Sequence, residues 1–135
     1  MPQSDVFFDT NIIVYFASEH DRRASRSAAL LAAKGVVSVQ VLNEFTNVAL
    51  GNKTRMSLSS VKTVLAAVRA ACEIVPVTVE IHEAALIIVE RYKYGIFDAL
   101  IIAAAQLAGC KTLYSEDMQD GQVIGGLTIR NPYKA

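Results

Sequence analysis

Short apolar runs alternate along the chain with longer segments in which apolar residues recur at helical spacing. The runs are rich in β-branched and aromatic residues, which is typical of buried parallel strands. The predicted strands are residues 6–8, 36–38, 74–77, 111–114 and 127–129. The predicted helices are residues 12–17, 22–33, 39–50, 59–72, 78–93 and 97–108. This alternation predicts an α/β fold with a central, mainly parallel sheet and helices on both faces.

Glycine, proline and threonine mark the ends of several of these elements. Gly35 and Gly51 follow helical segments and are predicted to end them. Thr78 is placed to cap the fifth helix, and Pro76 puts the third strand at a sheet edge or ends it there. Residues 97–108 are apolar nearly all round, which predicts a helix buried at the centre of the fold.

Composition agrees with one globular domain spanning residues 1–135. Hydrophobic residues make up 53% of the chain and charged residues 19%, enough apolar material for one core. Lys plus Arg and Asp plus Glu number 13 each. A neutral chain has no overall field to attract nucleic acid, so any contact with RNA requires a local basic patch. Candidate basic residues form two groups: Lys53, Arg55 and Lys62, and Arg22, Arg23 and Arg26.

Cysteine usage and hydropathy indicate a cytoplasmic protein without a membrane segment. Cys72 and Cys110 are far apart in apolar stretches, so we expect both to be free, buried thiols, as in a reducing compartment. With only His20 and His82 beside them, a zinc site is not expected. The apolar run 99–105 is too short to cross a bilayer, and the opening residues do not resemble a signal peptide.

Four carboxylates differ from the other nine because they lie beside apolar runs or just after strands: Asp9, Glu44, Asp98 and Asp117. Burying a lone carboxylate is costly, so such residues need a partner. In an open parallel sheet, ligands bind beyond the carboxyl ends of the strands. We therefore expect all four to converge at that edge. Hard divalent cations relieve the repulsion between converging carboxylates, which predicts a magnesium or manganese site able to activate water and clamp a phosphodiester.

The four carboxylates have separate expected roles. Asp9 and Asp98 are expected to contact the metal directly. Glu44 would bind metal or orient the attacking water, and Asp117 would hold a second ion or a metal-bound water. The groups expected to orient these ligands are Thr10, Asn11 and Ser115.

Each of the four carboxylates could instead have a purely structural role, without metal binding. Asp9 or Asp98 could serve only as a helix N-cap. Glu44 could lie on a solvated helix edge and Asp117 in an ordinary turn. These explanations would have to hold independently at four places that the topology brings together, so their conjunction favours the metal site.

Four segments of the chain resemble the acidic motifs of PIN-domain nucleases. They are residues 7–11 (FFDTN), 41–45 (VLNEF), 94–104 (YGIFDALIIAA) and 112–117 (TLYSED), with residues 129–132 (IRNP) extending the likeness to the end of the chain. At this length the sequence is similar to the VapC-type toxins of toxin–antitoxin pairs. The resemblance implies a three-layer α/β/α fold, a metal-dependent endoribonuclease, a homodimer and restraint by a small antitoxin protein.

One segment departs from the family pattern. Many relatives carry a further Asp and an aromatic residue after the fourth acid, whereas residues 118–121 read MQDG here. Glu116 is therefore an alternative or an assistant to Asp117 at the fourth position.

Other classes fit the sequence less well. A phosphatase of the haloacid dehalogenase type would need an Asp where Asn11 stands, and a receiver domain would need an acidic pair before its acceptor. Phosphate-loop, dinucleotide and α/β-hydrolase motifs are absent. The main alternative is a PIN-fold module that binds RNA or protein without cleavage. Four mutually repelling acids argue against it.

Overall fold

A computed structural model describes residues 4–134 of the chain. The strands are β1 (Val6–Phe8), β2 (Gly35–Ser38), β3 (Cys72–Val75), β4 (Thr112–Tyr114), β5 (Val123–Ile124) and β6 (Leu127–Arg130). The helices are α1 (Thr10–Ala17), α2 (Ala24–Ala32), α3 (Val39–Leu50), α4 (Leu58–Ala71), α5 (Val79–Tyr92) and α6 (Ile96–Leu107).

The strands form one sheet in the order β3-β2-β1-β4-β6-β5. All neighbours are parallel except β5 and β6. From β1 the chain first adds strands on one side, at β2 and β3, and later on the other, from β4 onward. The strand order therefore reverses between β1 and β4, which is where sheets of this kind bind ligands.

The helices cover the two sides of the sheet, as the sequence predicted. Helices α1 to α4 contact one another, and α5 packs separately against α6. Helix α6 also contacts β2 and β4, and its residues Ile101 to Ala105 are buried. The expectation of a central buried helix is confirmed.

Most element boundaries follow the sequence pattern to within two residues, and β1 and α3 match it throughout. Thr78 caps α5, its hydroxyl accepting a hydrogen bond from the Ile81 amide at 3.2 Å. Pro76 directly follows β3, which is an edge strand. The boundaries predicted from apolar periodicity and from capping residues are therefore close to the ones that the folded chain adopts.

The prediction for Gly35 was wrong. The chain turns after α2 at Lys34, which has a φ of 74°, and Gly35 is the first residue of β2. A methyl group at position 35 would overlap Cε2 of Phe8 and lie 2.8 Å from Cζ. Phe8 is fully buried, so the ring has no room to move. Glycine is required here by the close approach of two strands, not by a helix end.

Strand β5 was not predicted because it is only two residues long. It pairs with β6 across a two-residue loop formed by Gly125 and Gly126, with φ values of 55° and 86°. Positive φ at both central positions is the signature of a tight hairpin turn, which glycine adopts without strain. The glycine pair therefore has a structural function.

Both cysteines are buried and free, as predicted. Burial raises the pKa of each thiol to about 11, so neither is a reactive thiolate at neutral pH. Among residues 4–134, no helix has the length and hydropathy needed to span a membrane.

Candidate active site

The candidate site begins where β1 and β4 end side by side. Phe8 pairs with Tyr114, so the next residues, Asp9 and Ser115, are neighbours across the sheet. The Ser115 hydroxyl donates to Asp9 Oδ2 at 2.7 Å, and the Thr10 amide donates to Asp9 Oδ1 at 2.6 Å. Asp9 is therefore the N-cap of α1, as one explanation proposed, while both of its oxygens are held in place. Its side chain and that of Ser115 are buried.

Glu44 reaches the same edge from α3. Ser38, the last residue of β2, caps this helix, so α3 starts at the carboxyl end of the sheet. Glu44 lies in the second turn, and its Oε1 accepts a hydrogen bond from the Thr10 hydroxyl at 2.7 Å. Gln40, one turn earlier, donates to Glu44 Oε2 at 3.4 Å. These contacts aim a half-buried carboxylate toward the start of α1.

Asp98 enters from the first turn of α6. The N-cap of that helix is Gly95, so the explanation of Asp98 as a helix cap was wrong. Burial raises the pKa of Asp98, and the charges of Asp117 and Glu44 raise it further. No hydrogen bond from residues 4–134 to this carboxylate opposes those effects. Asp98 is thus a partly buried acid with no donor in the described chain.

The structure distinguishes Asp117 from Glu116. Asp117 Oδ2 accepts a hydrogen bond from the Asn11 amide at 3.1 Å. Glu116 instead forms an ion pair with Arg23, with 2.9 Å between Nη1 and Oε2, and also accepts from the Tyr15 hydroxyl. These adjacent acids therefore have different partners: Asn11 for Asp117, and Arg23 and Tyr15 for Glu116.

All four sequence-predicted carboxylates line one cleft of about 380 Å³. Thr10 and Asn11 also line it, and Glu116 does not. The side chain of each predicted orienting residue donates to one carboxylate: Ser115 to Asp9, Thr10 to Glu44, and Asn11 to Asp117. The chain thus brings together, at the carboxyl edge of the sheet, residues that are more than 100 positions apart in sequence.

Burial and mutual repulsion dominate the electrostatics of the cleft. The pKa of Asp9 is raised to about 6, first because its side chain is removed from water and then because Asp98 and Asp117 lie nearby. The hydrogen bonds from Ser115 and Thr10 partly offset this rise. A site that disfavours its own negative charge is suited to a positive ligand.

The fit to a metal ion depends on the kind of ion. Among residues 4–134, no group of three or more His, Cys, Asp or Glu side chains is placed so that it could hold a metal ion. Magnesium and manganese do not require such a group, since magnesium keeps several waters and binds to one or two carboxylates. In the cleft wall, Asn11 Oδ1 is a buried acceptor that lacks a hydrogen-bond partner in the described chain. That oxygen is itself sealed from solvent, so the fit rests on the carboxylates that line the cleft, an oxygen-only set that suits a hydrated divalent cation.

The sequence reasoning missed several residues of the cleft wall. Tyr15 lies one helical turn after Asn11, and Asn47 lies one turn after Glu44; both line the cleft. Their helical spacing from predicted site residues was the available signal. The burial of Tyr15 and its hydrogen bond to Glu116 raise the pKa of the phenol to about 12, so it remains a donor at neutral pH.

Most of the candidate basic residues are exposed, but they differ in whether another group already binds them. Lys53 and Arg55 are exposed in the loop after α3. Arg23 is bound to both Asp21 and Glu116, with its guanidinium carbon 3.8 Å from the Tyr15 ring centre. Arg26 donates to the Pro132 carbonyl at 3.3 Å. Arg23 is therefore already bound within the protein and is not a candidate for contact with RNA.

Solved structures share this architecture. The sarcin-ricin loop cleaving toxin VapC20 of Mycobacterium tuberculosis aligns with a TM-score of 0.67 and 22% identity, over 83% of this chain and 89% of that one. A toxin–antitoxin complex from Klebsiella pneumoniae aligns with a TM-score of 0.70 and 23% identity, over 96% of this chain and 99% of that one. DNA-bound VapBC from Salmonella typhimurium aligns with a TM-score of 0.71 and 15% identity, again over 96% of this chain and 99% of that one. At these identities the likeness establishes the fold alone.

No curated protein sequence matches the chain. The family assignment comes instead from the profile that describes the PIN domain, which matches residues 6–119. This range includes all four carboxylates of the cleft and most of the chain, and the chain therefore belongs to the PIN domain family.

Proposed function

We propose that this protein is a magnesium- or manganese-dependent endoribonuclease that cleaves RNA phosphodiesters by water attack. One observation carries the proposal: four carboxylates from separate segments line one cleft at the carboxyl edge of the sheet. The pKa of Asp9 there is raised by burial and by Asp98 and Asp117. A protein that only bound RNA or protein would gain nothing from this repulsion.

In the proposed site, Asp9 and Asp98 hold the metal ion. The bound ion would lower the pKa of a coordinated water and offset charge on the phosphodiester. Ser115 and the Thr10 amide fix the two oxygens of Asp9, which sets the direction of its remaining lone pairs. Asp98 has no such donor within the described chain, so a cation would compete with no hydrogen bond for its oxygens.

The other two carboxylates act around that position. The Thr10 hydroxyl holds Glu44, which then accepts a hydrogen bond from the attacking water or contacts the metal. Asn11 holds Asp117, which is exposed and suited to a second ion or to a metal-bound water. We assign the fourth acidic position to Asp117 rather than to Glu116, because the Glu116 carboxylate is bound to Arg23 and Tyr15.

We further propose that the chain is the toxin of a toxin–antitoxin pair, acting in the cytoplasm, and that it forms a homodimer restrained by a small antitoxin protein. The toxin and toxin–antitoxin structures that share its fold support this role, since they align over nearly the full length of the chain. The cellular test is expression in bacteria. Growth should stop on induction, and Asp98→Asn should relieve the arrest.

The biochemical test compares the unaltered protein with Asp98→Asn. Removing one proposed metal ligand should lower the rate of RNA cleavage with Mg²⁺ or Mn²⁺ by on the order of a hundredfold or more, because even residues that only orient ligands contribute 10–100-fold. EDTA should abolish cleavage by the unaltered protein. Mn²⁺ binding, measured by electron paramagnetic resonance, should weaken in parallel.

Asp5→Asn is the matched control, since Asp5 is exposed just before β1, at the opposite end of that strand. This variant should cleave and bind Mn²⁺ normally. Unchanged cleavage by a folded Asp98→Asn protein would exclude the assignment. RNA binding without any metal-dependent cleavage would identify a non-catalytic PIN-fold module instead.

A further inference from the structure

A second concavity, which we call the amide groove, adjoins the carboxylate cleft. Its volume is about 740 Å³, and Glu44 and Asn47 line both spaces. Most of its lining is either apolar or carries a side-chain amide. The apolar residues include Val39, Val77 and Phe97, and the amides are Gln40, Asn43 and Asn47. The groove is therefore continuous with the proposed site of cleavage but differs from it in chemistry.

Phe97 is the most unusual residue of the groove. It precedes Asp98 in the first turn of α6, and its side chain is 64% exposed. Residues further along α6 are buried, whereas Phe97 keeps an aromatic face largely open to solvent in the groove beside the cleft. Such a face is a stacking platform for another planar π-system.

The polar groups of the groove complement this platform. Gln40 donates to the Phe97 carbonyl at 3.0 Å and toward Glu44 at 3.4 Å, so its amide group is committed to the wall. Asn43 and Asn47 are exposed and make no side-chain hydrogen bond within the described chain. Each offers a donor and an acceptor, which is the pattern needed to bind the edge of a nucleobase.

Charge favours a neutral base over the sugar–phosphate backbone as the occupant of the groove. Glu44 is the one charged residue among those of residues 4–134 that line the groove, and it is negative. A phosphate would be repelled, whereas a neutral base would gain apolar burial and stacking. In single-stranded RNA, proteins read bases in this way, by stacking on aromatic side chains and hydrogen bonding at the edges.

We infer that the amide groove binds one unpaired nucleobase of the RNA, stacked on Phe97 and hydrogen-bonded by Asn43 and Asn47. This inference rests on the proposed ribonuclease function and adds to it a second binding site on this chain, in which a base next to the cleaved phosphate leaves its stack and enters the groove. A base inside a duplex could not enter, because stacking and pairing already occupy its face and edge.

The test measures RNA binding separately from cleavage. A fluorescein-labelled, single-stranded oligoribonucleotide of mixed sequence is titrated with the full chain in EDTA, and binding is followed by fluorescence anisotropy. Phe97→Ala should weaken binding about tenfold, in line with the stacking contribution of one base, and Phe97→Tyr should restore it. Leu86→Ala, which removes an exposed apolar side chain from α5, should bind like the unaltered protein.

A second probe tests whether the lost contact is to a base. On an abasic ribose-phosphate chain of equal length and charge, the unaltered protein and Phe97→Ala should bind equally. Asn43→Leu should narrow the differences in affinity among poly(A), poly(U) and poly(C). Equal binding of the unaltered protein and Phe97→Ala to the normal oligonucleotide would overturn the inference, as would an equal loss on the abasic chain.

Sedimentation of the unaltered protein and Phe97→Ala tests whether a second copy of the chain occupies the groove instead. If the unaltered protein is a larger species that Phe97→Ala dissociates, the groove is an interface between copies and the inference is wrong. Failure of the ribonuclease proposal would look different, because RNA would then remain uncut when Mg²⁺ or Mn²⁺ is added, whatever residue stands at position 97.

Discussion

At the scale of single residues, Asp9 combines a buried position with a proposed catalytic role. It is 5% exposed, and its pKa is raised from 3.8 to about 6. Its burial disfavours the charge that metal binding would need. Burying Asp9 therefore lowers the stability of the metal-free protein, but it places a carboxylate where a cation can bind. Such a loss of stability is common at functional sites.

Asp9→Asn should stabilise the metal-free protein at neutral pH. Between pH 3.8 and about 6 the folded state holds more protons at this position than the unfolded state, so the stability contributed by Asp9 falls as pH rises through that window. The variant lacks this loss. Its free energy of unfolding should exceed that of the unaltered protein by about 3 kcal/mol above pH 6 and converge with it below about pH 4.

Urea unfolding in EDTA across this pH range measures the difference. Asp5→Asn, at an exposed position, should show no comparable gain. A lower stability of Asp9→Asn at neutral pH would mean that its hydrogen bonds to Ser115 and Thr10 outweigh its burial. Mg²⁺ should reduce the advantage of the variant, because only the unaltered protein gains the full binding energy.

At the scale of helices and strands, local sequence predicted most of the fold. The helical periodicity of α3, α4 and α5 and the apolar runs of β1 and β2 agree with the structure, because side-chain period and element geometry have the same physical origin. Strand β5 and the role of Gly35 escaped prediction. Strand β5 has only two residues, too few to show an alternation of apolar and polar positions. The role of Gly35 depends on Phe8, which is distant in sequence.

Gly35→Ala should destabilise the protein through the contact between β2 and β1. The added methyl group would overlap the buried ring of Phe8, whose displacement would also shift Asp9, the next residue. Overpacking of this kind costs about 1–3 kcal/mol. Thermal and urea unfolding measure the loss.

Gly95→Ala is the matched control for this substitution. The added methyl group has open space there, and the backbone φ of −67° suits any residue. The expected cost is the N-cap preference for glycine alone, no more than about 1 kcal/mol. Equal losses in the two variants would show that the approach of Phe8 is not the cause.

At the scale of the whole molecule, net charge is zero, so attraction to RNA depends on where the cations lie. Lys53 and Arg55 are exposed in one loop, and neither forms an ion pair with another residue in the described chain. The acidic cleft by itself repels RNA. We therefore predict that this loop contributes phosphate contacts.

Neutralising both residues, as Lys53→Gln with Arg55→Gln, should weaken RNA binding and flatten its dependence on salt. Each lost phosphate contact reduces the slope of log affinity against log salt concentration by about 0.7 for a single strand. Arg69→Gln with Arg91→Gln removes the same charge from exposed positions on α4 and α5 and is the control. Equal effects of the two double variants would assign the loss to net charge rather than to this loop.

The sequence by itself determined the order and kind of the main elements, and it singled out four acids because charge beside apolar runs is a local anomaly. Tertiary structure decided which groups hold Asp9, Glu44 and Asp117, and that Asp117 rather than Glu116 lines the cleft. It also left Phe97 exposed in the adjoining groove. The reason is distance along the chain: Ser115 and Asp9 are 106 residues apart, and no local periodicity encodes a hydrogen bond across that separation.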